Sequence, residues 1–465
     1  MVTFTNLTRA PEIGANSYLL RSGEHSVLLD AGMHPRRDGW DATPLLDQIP
    51  EDLDAILVSH AHHDHIGSLP LVTAAHLGAK VLMTSGTAAL TEPLLHNSVN
   101  VMTRQRRELG RTDYPLYTHR GVDDSAVTWE LANLNRPIRI DSSDFEFVLH
   151  DAGHVAGSVM TEIRADQHRA LYTGDFNLQR QTLMLPCQHP SGPFDTLIME
   201  TTRGAQAAVP GQDRAFFEDA LLAGIRQTFE RGGAVLIPVF AMGKTQEVLA
   251  LLHHARLEGK IPKAPIYIGG LGRAMTEVYD RQRTLNPRQH GNLRLIPEAQ
   301  PETFDPRRLP NLRLRGGHIY LLSSGMMTAN TTSHTIARLF FPREHDSIFF
   351  VGYTDPSSPS GLLRQAGQGG AVNWGDASGV PVRCEVRYFD LTAHATREDI
   401  LRWACDEIQP SRVLLVHGDP DAQAWFAAQI VQQRPQTEVV QPPPGQPIPL
   451  FSENSRPALL TSHTV

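Results

Sequence analysis

The sequence predicts an α/β protein in which short strands are followed by a parallel sheet with flanking helices. Three observations predict it. Before about residue 204 the chain runs through short apolar or alternating segments closed by turns. From about 214 to 365, helix-length stretches alternate with apolar strands. After 386 a strand, a helix and a strand resume.

Taken in order, residues 17–20 (SYLL), 26–29 (SVLL), 55–58 (AILV), 145–149 (FEFVL), 170–172 (ALY) and 196–199 (TLIM) read as strands of one or two sheets, with polar clusters at their ends. A helix is expected over 68–77. Residues 214–230 then read as a helix before the strand 234–240, and 245–257 as a helix before the strand 265–268. Segments 319–322, 334–341 and 348–351 continue the alternation. The returning part holds a helix over 397–408 and the strand 413–416, which ends in a His-Gly-Asp turn. The tail QPPPGQPIP reads as a polyproline-like arm with little capacity for a core of its own.

A chain of 465 residues is long enough for two or three cores, and two is the starting expectation. The formal net charge of −8 supplies no overall basic field, so a polyanionic partner would have to be met by a local basic lining. Cys187, Cys384 and Cys405 match neither a thiolate metal site nor a disulfide framework, which suits a reducing, cytoplasmic setting. No apolar run reaches bilayer-spanning length and the N-terminus lacks a signal-peptide core, so no membrane partner is expected.

The stretch SHAHHDHIGSLP, residues 59–70, follows directly on the apolar run 55–58. If that run is a buried strand, His60, His62, Asp64 and His65 project from the turn at its end, and imidazole with carboxylate is the donor set of zinc and similar metals. His63 receives no role. One turn cannot close two metal sites, and further candidates stand at other strand ends: His154 in DAGHVAGS and Asp175 in LYTGDF. Asp30, in LLDAG, reads as a carboxylate that orients the ligands rather than as a ligand itself. Two features are weighed against duller readings. Gly243-Lys244-Thr245 imitates the end of a phosphate-binding loop, but Pro238 stands where its first glycine belongs. TRQRRELGR, 103–111, is either an RNA-contacting strip or a solvated helix face.

His-x-His-x-Asp-His followed by AGHVAGS and TGDF resembles the metallo-beta-lactamase fold. ETTRG at Glu200, TAHA at His394, LVHG at His417 and the segments FAMGKTQE, SSGMM and GYTDPSSPSG are similar to its beta-CASP branch of nucleases. The resemblance implies an αββα sandwich with an inserted beta-CASP domain, divided as 1–203 and 386–440 for the sandwich, 204–385 for the insertion and 441–465 for the arm. It implies two zinc ions, with manganese as a substitute: one held by His60, His62 and His154, the other by Asp64, His65 and His417, with Asp175 between them. It further implies that His394 is the general acid, steadied by Glu200, so that the catalytic set is His394, Glu200, Asp64 and Asp175. Lys244, Ser324, Gly325 and Met326 would line the path of a single-stranded RNA, in a monomer or a homodimer. The implied activity is hydrolysis of RNA phosphodiester bonds by water activated between two zinc ions, endonucleolytic or from the 5′ end. Hydrolysis of a small ester, thioester or lactone, cleavage of DNA, and a non-catalytic scaffold role are the alternatives. The size of the insertion speaks against the first, His417 against the second, and the full ligand set against the third.

Overall fold

The computed structural model describes residues 1–141 and 143–452. The chain separates into two compact units. The first comprises Met1–Gln179, Pro186–Ala208 and the chain from His394 onward, and the second comprises Arg180–Leu185 and Val209–Ala393.

The first unit holds two seven-stranded sheets. One runs in the order Pro447–Pro449, Val2–Asn6, Tyr18–Ser22, His25–Leu29, Ala55–Leu57, Lys80–Met83, Trp129–Leu131. The other runs Glu438–Val440, Arg412–Val416, Thr196–Glu200, His168–Tyr172, Val159–Ala165, Glu146–Asp151, Pro137–Arg139. Side-chain alternation decides what each face meets. Ile198 and Leu414 point into a core shared with Phe4, Tyr18, Leu29 and Leu57 of the facing sheet. Their neighbours Leu197, Met199 and Leu415 point the other way, onto Ile400, Trp403, Phe426 and Ile430 of the outer helices. Both faces of the central strands are therefore buried, which is why TLIM and VLLV read as unbroken apolar runs. The helix of the returning segment is Arg397–Arg402 continued by a π-helical stretch, Trp403–Ile408, and Gln409 ends it in the left-handed region at φ 51°. The proline-rich arm is partly sheet: Pro447–Pro449 pairs antiparallel with Val2–Asn6, and Leu450 is buried beside it. Residues 453–465 of that arm lie outside the described residues.

The second unit is built on a six-stranded sheet in the order Glu302–Thr303, Ile266–Ile268, Ile319–Leu322, Val235–Pro238, Ser347–Phe350, Glu385–Tyr388, with every pairing parallel. The expected boundary at 385/386 falls inside a strand of this sheet. Ser347 to Phe350 pair in register with Glu385 to Tyr388, so that strand completes the inserted sheet instead of opening the return. The insertion also reaches back to Arg180–Leu185, because the buried Glu247 carboxylate accepts the backbone N–H groups of Leu183 and Met184. Neither feature has a local sequence signature, since both are settled by pairing with distant strands and side chains.

A buried ion network ties three adjacent strands of the first unit. Glu162 accepts hydrogen bonds from Arg164 Nε at 2.7 Å and Arg169 Nε at 2.9 Å, and lies 3.1 Å from His150 Nε2. Burial pushes its carboxyl up, but the His150 and arginine donors outweigh that and bring it down to about 2. A carboxylate with a depressed folded pKa stabilises the fold above its unfolded value, about 4.3, and loses that contribution as the pH falls toward 2. Glu162→Gln is expected to cost about 3 kcal/mol at pH 7, by stranding the buried partners, and to flatten the stability curve between about pH 4.3 and 2. Urea denaturation at pH 7 and at pH 3 checks it: a variant whose loss is equal at both values overturns this account.

Candidate active site

The candidate residues of the first unit gather at the C-terminal ends of strands that run in one direction within each sheet, where an α/β protein collects its chemistry. Asp30 follows His25–Leu29, His60 and His62 follow Ala55–Leu57, and His154 follows Glu146–Asp151. Asp175 follows His168–Tyr172, Glu200 ends its strand, and His417 follows Arg412–Val416. The strand before the histidine-rich motif is buried throughout, as the apolar run requires. Asp64 and His65, expected on a turn, instead sit on a one-turn helix, His63–Ile66, ahead of the helix Leu69–Ala75. A tight backbone contact holds this turn in place: Asn16 N–H donates to Asp64 O at 2.9 Å and Ala31 N–H to His65 O at 2.8 Å. Gly32 permits the approach, because a Cβ there would lie 1.8 Å from the Asp64 carbonyl oxygen.

The side chains form two groups around one carboxylate. In the first, His60 Nε2 lies 3.0 Å from His62 Nδ1, which lies 3.1 Å from His154 Nε2. In the second, His417 Nε2 and His65 Nε2 lie 3.4 and 3.9 Å from Asp64 Oδ2. Asp175 faces both: Oδ2 is 3.6 Å from His60 and 3.8 Å from His154, while Oδ1 is 3.5 Å from His65 and 2.9 Å from His417. The ligand atoms within each group, with Asp175 counted in the first, all fall within 4.8 Å of one another. Asp175 Oδ1 is nevertheless buried without a hydrogen-bond partner, so the imidazole nitrogens near it do not point their protons at it. The spacing of the three facing imidazole nitrogens is near the edge of a tetrahedron drawn around a Zn–N bond of ~2.0–2.1 Å. An orphaned carboxylate oxygen and imidazole nitrogens turned toward common points fit a divalent metal, and this donor set is able to hold one.

Neighbouring groups set which imidazole nitrogen is available. Asp30 accepts from the Ser59 backbone N–H at 2.7 Å, the Ser59 hydroxyl at 2.7 Å and the Tyr172 hydroxyl at 2.6 Å, and His65 Nδ1 lies 2.8 Å away. His65 thus spends Nδ1 on Asp30 and turns Nε2 to the site. The Ser59 proton goes to Asp30, so its oxygen can only accept from His60 Nδ1 at 3.1 Å, which leaves the His60 Nε2 lone pair facing inward. Burial, opposed by Asp64 and Asp175, holds His62 down to about 4, and burial likewise keeps His60 below the ordinary histidine value. In the second group burial is overcome by carboxylates. Asp175, Asp30 and Asp64 raise His65, and Asp175 and Asp64 raise His417 to about 10. That group demands positive charge, whether from protons or from a metal ion.

His394 stands beside the first group, its ring 4.7 Å from that of His154. Its Nδ1 lies 3.0 and 3.1 Å from the two Glu200 oxygens, and its Nε2 lies 3.9 Å from Asp175 Oδ2. Burial disfavours the imidazolium, but the Glu200 carboxylate, helped by Asp175, more than compensates and raises its pKa. Asn16, Ser59 and Thr202 were not singled out by sequence reasoning, although Ser59 and Thr202 lie within motif segments. Ser59 directly precedes His60, and Thr202 lies two positions after Glu200, in the turn that follows that strand.

The remaining candidates belong to the second unit. Lys244 opens the helix Lys244–Leu257 but is buried, and its ammonium donates to the Leu391 carbonyl, so its charge is engaged inside this unit. Burial, reinforced by Arg214, lowers it to about 7. Ser324 Oγ accepts the Thr328 N–H at 3.1 Å, Gly325 packs on Phe240, and Met326 Sδ accepts the Asp355 N–H at 3.4 Å. The basic strip 103–111 falls at the end of the 25-residue helix Ser85–Leu109, where Arg104 pairs with Glu108 and Gly110 caps the helix at φ 66°. No helix of the described residues is long and apolar enough to cross a membrane.

Comparison with known proteins places three family descriptions along the chain: the metallo-beta-lactamase superfamily over residues 10–215, the Beta-Casp domain over 245–362, and the Zn-dependent metallo-hydrolase RNA specificity domain over 379–442. Endoribonuclease ysh1 of Emericella nidulans is 29% identical over 448 residues, 88% of this chain and 49% of that protein. Cleavage and polyadenylation specificity factor subunit 3 of Dictyostelium discoideum is 28% identical over 464 residues, 95% of this chain and 56% of that protein. The chain thus spans about half the length of the curated relatives it matches. A protein of unknown function from Enterococcus faecalis V583 superposes with a TM-score of 0.54 at 15% identity, covering 96% of this chain and 100% of its own, a likeness of fold alone.

Proposed function

The chain belongs to the beta-CASP branch of the metallo-beta-lactamase superfamily, and from that premise we propose that it is a two-zinc endoribonuclease acting on single-stranded RNA. The observation that carries the reading is the placement of Asp175, with one oxygen toward each cluster. We read His60, His62 and His154 as the ligands of one zinc and Asp64, His65 and His417 as those of the other, with Asp175 shared and manganese an effective substitute. Divalent metal held by these residues would supply an activated water at neutral pH and offset the charge that builds on the phosphate. The chain's own groups do the rest. Asp30 and Ser59 fix the rings of His65 and His60 with the correct nitrogen inward. Glu200 holds His394 by Nδ1 and favours its charged form, so the proton on Nε2 is available to the departing 3′ oxygen.

RNA as substrate is supported by the RNA specificity domain matched over 379–442 and by the endoribonuclease names of the relatives. Free Cys187, Cys384 and Cys405 suit a reducing compartment, which supports a cytoplasmic setting.

Elemental analysis of the purified chain is expected to find about two zinc ions per molecule. Cleavage should leave 5′-phosphate and 3′-hydroxyl ends and should tolerate a 2′-deoxy substitution at the scissile position, because water attacks in place of the ribose hydroxyl. Mapping the ends of labelled products checks this, and a 2′,3′-cyclic phosphate would overturn the mechanism.

A further inference from the structure

Thr202 touches both halves of the site. Its hydroxyl donates to Glu200 Oε2, the carboxylate that holds His394, and its oxygen lies 3.0 Å from His417 Nδ1. A hydroxyl has one proton and two lone pairs. The alternative acceptor for that proton, the His417 carbonyl, is farther at 3.4 Å, and a carboxylate is the stronger acceptor. With the proton given to Glu200, Thr202 can meet the imidazole only as an acceptor, so Nδ1 of His417 must carry hydrogen. Asp175 Oδ1 is 2.9 Å from the same nitrogen but takes no hydrogen bond from it, which leaves Thr202 as the partner with the right direction. In the neutral ring Nε2 is then the nitrogen that keeps a lone pair for the cluster, and it faces Asp64 Oδ2 at 3.4 Å.

We propose that Thr202 is a positioning residue: it selects the Nδ1–H tautomer of His417 and, through the same hydroxyl, couples the Glu200–His394 pair to the Asp64–His65–His417 cluster. The inference rests on the ligand and acid roles proposed above. Ser59 repeats the device on the other cluster, passing its proton to Asp30 and accepting from His60 Nδ1. The recurrence follows from one requirement: a neutral histidine that offers Nε2 to a metal needs an obligate acceptor at Nδ1.

The test is a chelator-competition titration of zinc into the full chain, a readout that needs no turnover. Thr202→Val keeps the shape and removes the hydroxyl. It is expected to weaken the second zinc equivalent by about 10- to 100-fold while leaving the first unchanged, and Thr202→Ser should restore the second. Should Thr202→Val fail to fold by circular dichroism, Thr202→Ala carries the same expectation. His417→Ala separates the two levels of inference. If it keeps both equivalents, the ligand assignment fails. If it loses the second equivalent while the folded Thr202 variant lacking a hydroxyl binds both like the wild type, or if serine does not restore a weakened site, the role of Thr202 is overturned and the ligand assignment stands.

Discussion

Asp175→Ala is expected to abolish RNA cleavage, by on the order of 10⁴-fold or more, and to leave the chain with fewer than about one tightly held zinc ion. The expectation follows from position. Asp175 is 3% exposed, each of its oxygens faces a different cluster, and Oδ1 has no hydrogen-bond partner to account for its burial. On the proposed assignment its removal takes a ligand from both sites at once, and it strips His65 and His417 of the carboxylate that most favours their charged forms. Asp175→Asn should be almost as damaging, since its amide keeps one acceptor oxygen and turns N–H donors toward imidazoles that must themselves stay unprotonated on the metal side. Zinc analysis and labelled-RNA cleavage on the same folded preparation decide the matter. An Asp175→Ala protein that keeps two zinc ions would sink the bridging assignment, whatever its activity.

His394→Ala should behave differently. Its ring lies beside the first cluster without belonging to a ligand group, and both Glu200 oxygens hold it by Nδ1, so its loss should leave metal content intact. RNA cleavage should nevertheless fall by roughly 10²- to 10⁴-fold, the usual consequence of removing a general acid. The defect should shrink on a nitrophenyl phosphodiester, whose leaving group departs without a proton. A variant equally impaired on both substrates with its metals in place would show that His394 positions substrate and donates no proton. His417→Ala is the contrast within the same returning segment, because it should lose an ion rather than a proton.

The donor types were legible in the sequence because chemistry of this kind is written locally. Four side chains of one site fall between His60 and His65, immediately after an apolar run that forms a buried strand, and Asp30, His154, Asp175 and His417 each follow another apolar run. The alternation of helix and strand over about 214–365 likewise announced the parallel sheet of the insertion. Other features depend on partners far away in the chain. Lys244, expected among the substrate contacts, opens a helix, and its ammonium meets a carbonyl 147 residues on. The return was expected to open at 386, and residues 385–388 pair with Ser347–Phe350.

By itself, then, the sequence determined which residue types stand at strand ends, since burial periodicity and turn chemistry act over a few positions. Tertiary structure alone decided how those ends are shared out: which Asp175 oxygen serves which cluster, which imidazole nitrogen faces inward, and that Thr202 stands between Glu200 and His417. The reason is geometric. A hydrogen bond or a metal ligand selects among atoms of one side chain at the scale of an ångström, and no pattern of residue types along a chain carries that resolution.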